Sequence, residues 1–73
     1  MKELEIKKQI QYLEDILDNL KADTEILFDE TIDRRMRERA KRSSIVLVED
    51  DVNIPLTIIG SCLKGYILPK EEN

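Results

Sequence analysis

The side chains best suited to hold an anion lie in one short run between positions 34 and 42. This basic run contains Arg34, Arg35, Arg37, Arg39, Lys41 and Arg42, with Glu38 as its single acid. Several guanidinium groups along a helix can bind phosphates or carboxylates at more than one point. The run holds neither an aromatic residue nor an asparagine that could contact bases. We therefore expect it to pair with the acidic helix of this chain or of another subunit, with nucleic acid or an acidic protein as alternative partners.

Catalytic and metal-binding chemistry has little support in the sequence. Three consecutive carboxylates, Glu49, Asp50 and Asp51, could ligate a hard cation, but no further oxygen ligands follow at regular spacing. Cys62 is the single cysteine, and the chain has no histidine to activate it or to bind a metal. We therefore expect a solvated acidic turn and a small buried thiol, in a protein that is not an enzyme and has no metal or cofactor.

The charges are segregated along the chain. Residues 1–33 hold ten acids against four lysines, a balance of −6, whereas the basic run carries +5 and residues 43–73 carry −3, which together give the net charge of −4. An acidic helical face, for example Glu14, Asp18 and Glu25, could imitate a phosphate backbone, as phage-type inhibitors do. An ordinary solvated surface is the simpler interpretation.

Residues 2–42 contain neither glycine nor proline and are predicted to be helical. Five apolar residues follow the alternating spacing of four and three that is typical of a coiled-coil interface: Ile6, Ile10, Leu13, Leu17 and Leu20. A chain of 73 residues with one cysteine needs another source of stability, and oligomerisation supplies one. The pattern therefore predicts a self-association interface in a homo-oligomer, most simply a dimer.

The heptad pattern fails after Leu20, and two arrangements are open. One is a continuous or kinked helix over residues 2–42, supported by acid-to-arginine pairs four residues apart, such as Glu30 with Arg34. The other is an antiparallel helical hairpin that turns near residues 22–24 and lays the acidic segment beside the basic run. The continuous helix is slightly favoured, because no glycine marks a turn.

The C-terminal part is predicted to be a small β-containing segment. Residues 45–48 form a β-branched run typical of a buried strand, and residues 66–68 are predicted to be a second strand. Between them, Asn53 and Pro55 open a short helix that stops at Gly65, or residues 56–59 form a strand instead. Residues 70–73 are a polar tail. The predicted fold class is mainly α with a small C-terminal α/β element. The chain is predicted to be one domain over residues 1–73, which comprises a helical segment (2–42), a small β-containing segment (43–69) and a polar tail (70–73).

These features favour a small non-enzymatic homo-oligomeric protein-interaction module that acts as a regulator, adaptor or inhibitor of another protein. The alternative is a nucleic-acid-linked regulator, which binds through the basic run or mimics nucleic acid through its acidic helix. With one cysteine, no secretory signal and no apolar run of eighteen residues, the sequence predicts a cytoplasmic protein without a membrane segment.

Overall fold

The structure is a computed structural model that describes residues 2–70 of the chain. Its elements are α1 (Lys2–Leu27), α2 (Arg34–Val46), a π-helical turn (Leu47–Asp51) and α3 (Asn53–Lys64). About 81% of the described residues are helical, which places this part of the chain in the all-α class.

The helices form an antiparallel hairpin. α1 is one arm, while α2, the π-helical turn and α3 make a second, bent arm that returns alongside it. At the open end, the ammonium group of Lys2 donates a hydrogen bond to the carbonyl oxygen of Gly65. At the closed end, Nε of Arg37 donates to the carbonyl oxygen of Leu27 at 2.9 Å. Both ends of the hairpin are therefore fastened by a contact between the arms.

The turn occupies residues 28–33 and is built from short polar side chains. The carboxylate of Asp29 accepts hydrogen bonds from the backbone N–H and the hydroxyl of Thr31, and that of Asp33 caps α2 by accepting from the N–H of Arg35 at 3.0 Å. The prediction of a continuous helix to residue 42 is therefore wrong. The hairpin alternative describes the chain, but the turn follows Leu27 rather than residues 22–24.

The predicted C-terminal α/β element is absent. Residues 45–48 lie at the end of α2 and in the π-helical turn, residues 66–68 have no regular secondary structure, and no strand occurs within residues 2–70. An isolated strand would leave its backbone groups unpaired, whereas the helical continuation pairs them and buries Leu47. The predicted fold class is therefore wrong. Of the predicted tail, only Lys70 falls within the described residues.

The bend of the second arm has two local causes. The N–H of Val52 donates to the carbonyl oxygen of Leu47 at 3.1 Å, which is the five-residue spacing of a π-helix. Pro55 follows closely; it has no N–H, and in a regular α-helix its ring would clash with the carbonyl group of Asp51. α3 then runs to Gly65. Of the two predictions for this segment, the helix is correct and the strand over residues 56–59 is wrong.

The interface between the arms buries few side chains. Ala40 and Leu47 are only 5% and 8% exposed, and Pro55, Gln9 and Ser44 are also buried. Among the described residues, no large side chain is completely buried. The molecule measures 63 × 20 × 15 Å, and its radius of gyration is 17.6 Å, against about 11 Å for a compact domain of this length. A single hairpin therefore has a thin core and much exposed apolar surface.

Candidate interaction surfaces

The five residues of the predicted self-association interface divide into two sets. Ile6, Leu13 and Leu20 are half-buried by the chain's own second arm, whereas Ile10 and Leu17 remain 42% and 58% exposed. Residues seven apart lie close together on one helix face, and the second set is turned about 40° from the first. The hairpin therefore covers only one side of the apolar stripe.

Both arms contribute to the uncovered side. A groove lies between Ile6 and Ile10 of α1 and Leu63 and Tyr66 of the second arm, with Glu3 and Lys7 at its rim. Leu56 precedes Leu63 by seven residues and is also exposed, so it continues this surface along α3. We call this surface the apolar flank and define it by five exposed residues: Ile10, Leu17, Leu56, Leu63 and Tyr66.

The opposite side of the hairpin is more polar. Its groove, which we call the mixed flank, is lined by Lys8, Gln9, Tyr12, Asp15, Ile16, Asp51, Ile54, Pro55 and Ile58. Three of these residues are charged and exposed, and none of the three makes an ion pair within residues 2–70. Burial of this groove would therefore have to desolvate separate charges.

Across the described residues, the basic run makes no ion pair. Arg37 turns toward α1 and bonds to a carbonyl oxygen, while the other five basic residues, Arg34, Arg35, Arg39, Lys41 and Arg42, are exposed. Within residues 2–70 the ion pair found is Lys7 with Glu3, at 3.0 Å. Neither the expected pairing with the chain's own acidic helix nor the expected pairs four residues apart, such as Glu30 with Arg34, are formed.

The exposed part of the basic run forms a shallow depression on the outside of α2. It is lined by Asp33, Arg34, Arg35, Glu38, Arg39 and Arg42, a net charge of +2. An open surface of this kind can contact an anionic partner at several points, but it encloses no small ligand.

The other candidate groups, the three carboxylates and the thiol, do not lie together in one site. Glu49, Asp50 and Asp51 belong to the π-helical turn and are exposed, and Cys62 is half-buried in α3. Within the part of the chain that is described, no cluster of acidic, cysteine or histidine side chains could hold a metal ion.

Three polar residues at the turn were missed as structural determinants. Asp29, Asp33 and Arg37 hold the closed end of the hairpin together. The hydrogen bonds from the Thr31 hydroxyl and N–H lower the pKa of Asp29, with help from the nearby charge of Arg37. An Asp two residues before Thr, and an Asp directly before a run of helix formers, are turn and cap signals that the sequence does contain.

Over residues 2–70, no helix is long and apolar enough to cross a membrane. Comparison of the chain with family models, curated proteins and solved structures gave no match.

Proposed function

We propose that this chain is a non-enzymatic protein-interaction module that works as a homo-oligomer and acts as a regulator, adaptor or inhibitor of another protein. The observation that carries the proposal is the apolar surface that a single hairpin leaves in contact with water. Fifteen large apolar side chains of the described residues are exposed, and they include residues of both arms. A surface of this kind is typical of a protein that functions in contact with other chains.

The accessible area supports the same conclusion. One chain exposes 6311 Å², whereas a compact monomer of this length is expected to expose about 4,700 Å². The excess, roughly 1,600 Å², exceeds the area of about 800 Å² that each partner contributes to a standard protein interface. The elongated hairpin can therefore bury the area of a standard interface and still expose more surface than a compact monomer of this length would.

Light scattering combined with circular dichroism tests the oligomer on which the proposal depends. We expect a dimer or larger species with high helicity whose mass is the same at about 50 and about 500 mM salt, because burial of apolar surface is not screened by ions. A monomer that keeps its full helicity in both conditions would contradict the proposal, since the hairpin would then be stable with its apolar surface exposed.

The exposed basic run favours a second candidate, a nucleic-acid-linked regulator. Five cationic side chains on α2 lack an ion-pair partner within residues 2–70, so they are free to contact phosphates. This function predicts binding to duplex DNA or RNA, with an affinity that falls steeply as salt rises.

Fluorescence anisotropy with a labelled duplex separates the two candidates. Removal of three charges from α2 by Arg35→Ala, Arg39→Ala and Arg42→Ala should abolish binding if the basic run is the contact. The matched control removes three exposed charges elsewhere, by Lys8→Ala, Lys21→Ala and Lys64→Ala. Equal losses in both variants, or no binding by the unmodified chain at low salt, would count against the nucleic-acid candidate.

A further inference from the structure

We infer that the apolar flank binds the apolar flank of a second copy of this chain, so that two antiparallel hairpins form a four-helix bundle. The inference rests on the homo-oligomer of the proposed function and adds the face, the occupant and the orientation.

The stripe is too wide for one hairpin. Ile6, Leu13 and Leu20 already face the second arm, while Ile10 and Leu17 lie about 40° to one side of them. A helix in a hairpin contacts one neighbour, but a helix in a four-helix bundle contacts two, and it needs an apolar stripe that covers both directions. The second set of residues therefore has a role only when further helices pack on the flank.

The second arm has a matching apolar set. Leu63 and Tyr66 line the same groove as Ile6 and Ile10, and Leu56 continues it along α3. Two adjacent helices thus present apolar side chains on one side of the molecule. A pair of helices that lies across this side would contact both arms at once.

The charges distinguish this flank from the other. The groove at the Ile10 and Leu63 end of the apolar flank has Glu3 and Lys7 at its rim, and these two residues pair with one another at 3.0 Å and leave no net charge there. The mixed flank holds Lys8, Asp15 and Asp51, which have no ion-pair partner within the described residues. Burial of this end of the apolar flank desolvates paired charges, which costs less than burial of the separate charges of the mixed flank.

The second copy fits this flank for two reasons. A two-fold dimer brings the same patch of both subunits together, and an apolar patch with a neutral rim is compatible with itself. Each chain can also lose the roughly 800 Å² of a standard interface and still expose more than a compact monomer of its length.

Electrostatics sets the orientation. The basic run begins beside the turn, so a parallel dimer would place two clusters of +5 next to each other. In the antiparallel dimer, the Arg34 ends of these clusters are separated by about the length of α1, roughly 39 Å, and the cluster centres by roughly 27 Å, which is still about three Debye lengths at physiological salt. The antiparallel arrangement therefore avoids the repulsion.

Paired variants test the face. The double variant Ile10→Glu with Leu17→Glu places two charges on the apolar flank, and Tyr12→Glu with Ile54→Glu places two on the mixed flank, all at exposed positions. We expect the first variant to raise the dimer dissociation constant at least about 30-fold and the second to leave it nearly unchanged. Sedimentation equilibrium measures both constants.

The outcomes separate this inference from the proposed function. If the unmodified chain is a dimer and the mixed-flank variant dissociates while the apolar-flank variant does not, the inference is wrong and the homo-oligomer stands. The same holds if neither variant dissociates. If the unmodified chain is a helical monomer, another protein or water covers the flank. In that case both the inference and the proposed function are wrong.

Spin labels give a second measurement that does not depend on a destabilised variant. In a Cys62→Ser background, labels are attached after Leu17→Cys, Tyr12→Cys or Arg34→Cys. We expect about 10 Å between the two Leu17 labels, about 30 Å between the Tyr12 labels, and about 40 Å between the Arg34 labels, from helix diameters and the length of α1. A shorter distance for Tyr12 than for Leu17 would overturn the face, and less than about 20 Å at Arg34 would overturn the orientation.

Discussion

Nε of Arg37 donates a hydrogen bond to the carbonyl oxygen of Leu27 at 2.9 Å, which links the second turn of α2 to the last residue of α1. The last four carbonyl groups of a helix have no partner inside it, and their partial negative charge attracts cations. The last turn of α1 has no basic residue of its own. Arg37 therefore supplies both the missing donor and the missing positive charge from the other arm.

Replacement of Arg37 by Ala should destabilise the hairpin by about 1 to 2 kcal/mol, because it removes a charged donor from a half-buried carbonyl group. The control is Arg35→Ala, which removes the same charge from an exposed side chain in the same helix. Urea unfolding at one fixed protein concentration measures both variants. Equal effects would show that the charge of the basic run matters and the hydrogen bond does not.

The turn residue Asp29 should respond to pH. Its pKa lies below the ordinary value because its carboxylate accepts hydrogen bonds from the hydroxyl and the N–H of Thr31. A lowered pKa in the folded state stabilises the fold at pH values above the pKa of the unfolded state. This contribution disappears as the pH falls through the pKa of the folded state. The turn should therefore loosen in acid rather than in base.

Thr31→Val tests the origin of this shift. The variant keeps the backbone hydrogen bond and removes the one from the hydroxyl, so the pKa of Asp29 should rise toward its ordinary value. Thr31→Ser keeps the hydroxyl and should leave the pKa low. Carboxyl carbon shifts followed by NMR through an acid titration report the pKa directly. An unchanged pKa in the valine variant would mean that another group holds the carboxylate in its charged form.

The prediction of helix from residue 2 is correct as far as Leu27, and helix propensity and hydrophobic period agree up to Leu20, but neither alternative placed the end of α1 correctly. Of the two alternatives that the sequence left open after residue 52, the helix that begins at Asn53 and stops at Gly65 is the one found. The turn was misplaced because it contains no glycine and instead uses the carboxylates of Asp29 and Asp33 to pair backbone groups. The change of hydrophobic phase after Leu20 reflects packing against a second arm rather than a break in the helix.

The error at residues 45–48 has a physical reason. Val and Ile favour strands where a sheet is available, but strand propensity depends on neighbouring strands, and no strand occurs within the described residues. Helical continuation lets Leu47 pack against α1, and the hydroxyl of Ser44 bonds to the carbonyl oxygen of Ala40 at 2.8 Å. Two other features depend on the packing of the two arms, which the sequence pattern did not determine. They are the exposure of Ile10 and Leu17 and, for the residues that the structure describes, the lack of ion pairs to the basic run.

Leu47 is the largest apolar side chain among the buried residues, so its truncation should be costly. Leu47→Ala is expected to lower the free energy of unfolding by about 2 to 4 kcal/mol, because it leaves a cavity between the arms. Leu4→Ala is the control, since Leu4 is on the exposed side of α1. Thermal unfolding at fixed protein concentration compares the two. If Leu4→Ala proves the more costly, the packing between the arms is different from that described.

Gly60 and Gly65 should respond differently to alanine. Gly60 lies inside α3, and a methyl group added there meets no atom within 4 Å. Gly60→Ala should therefore stabilise the hairpin by about 0.5 to 1 kcal/mol, because alanine restricts the unfolded chain and favours helix. At Gly65 the added methyl would lie 2.7 Å from Nζ of Lys2 and displace the contact at the open end of the hairpin, so Gly65→Ala should give no gain. Urea unfolding ranks the two variants, and a loss of stability for Gly60→Ala would show that a second chain approaches α3 at this position.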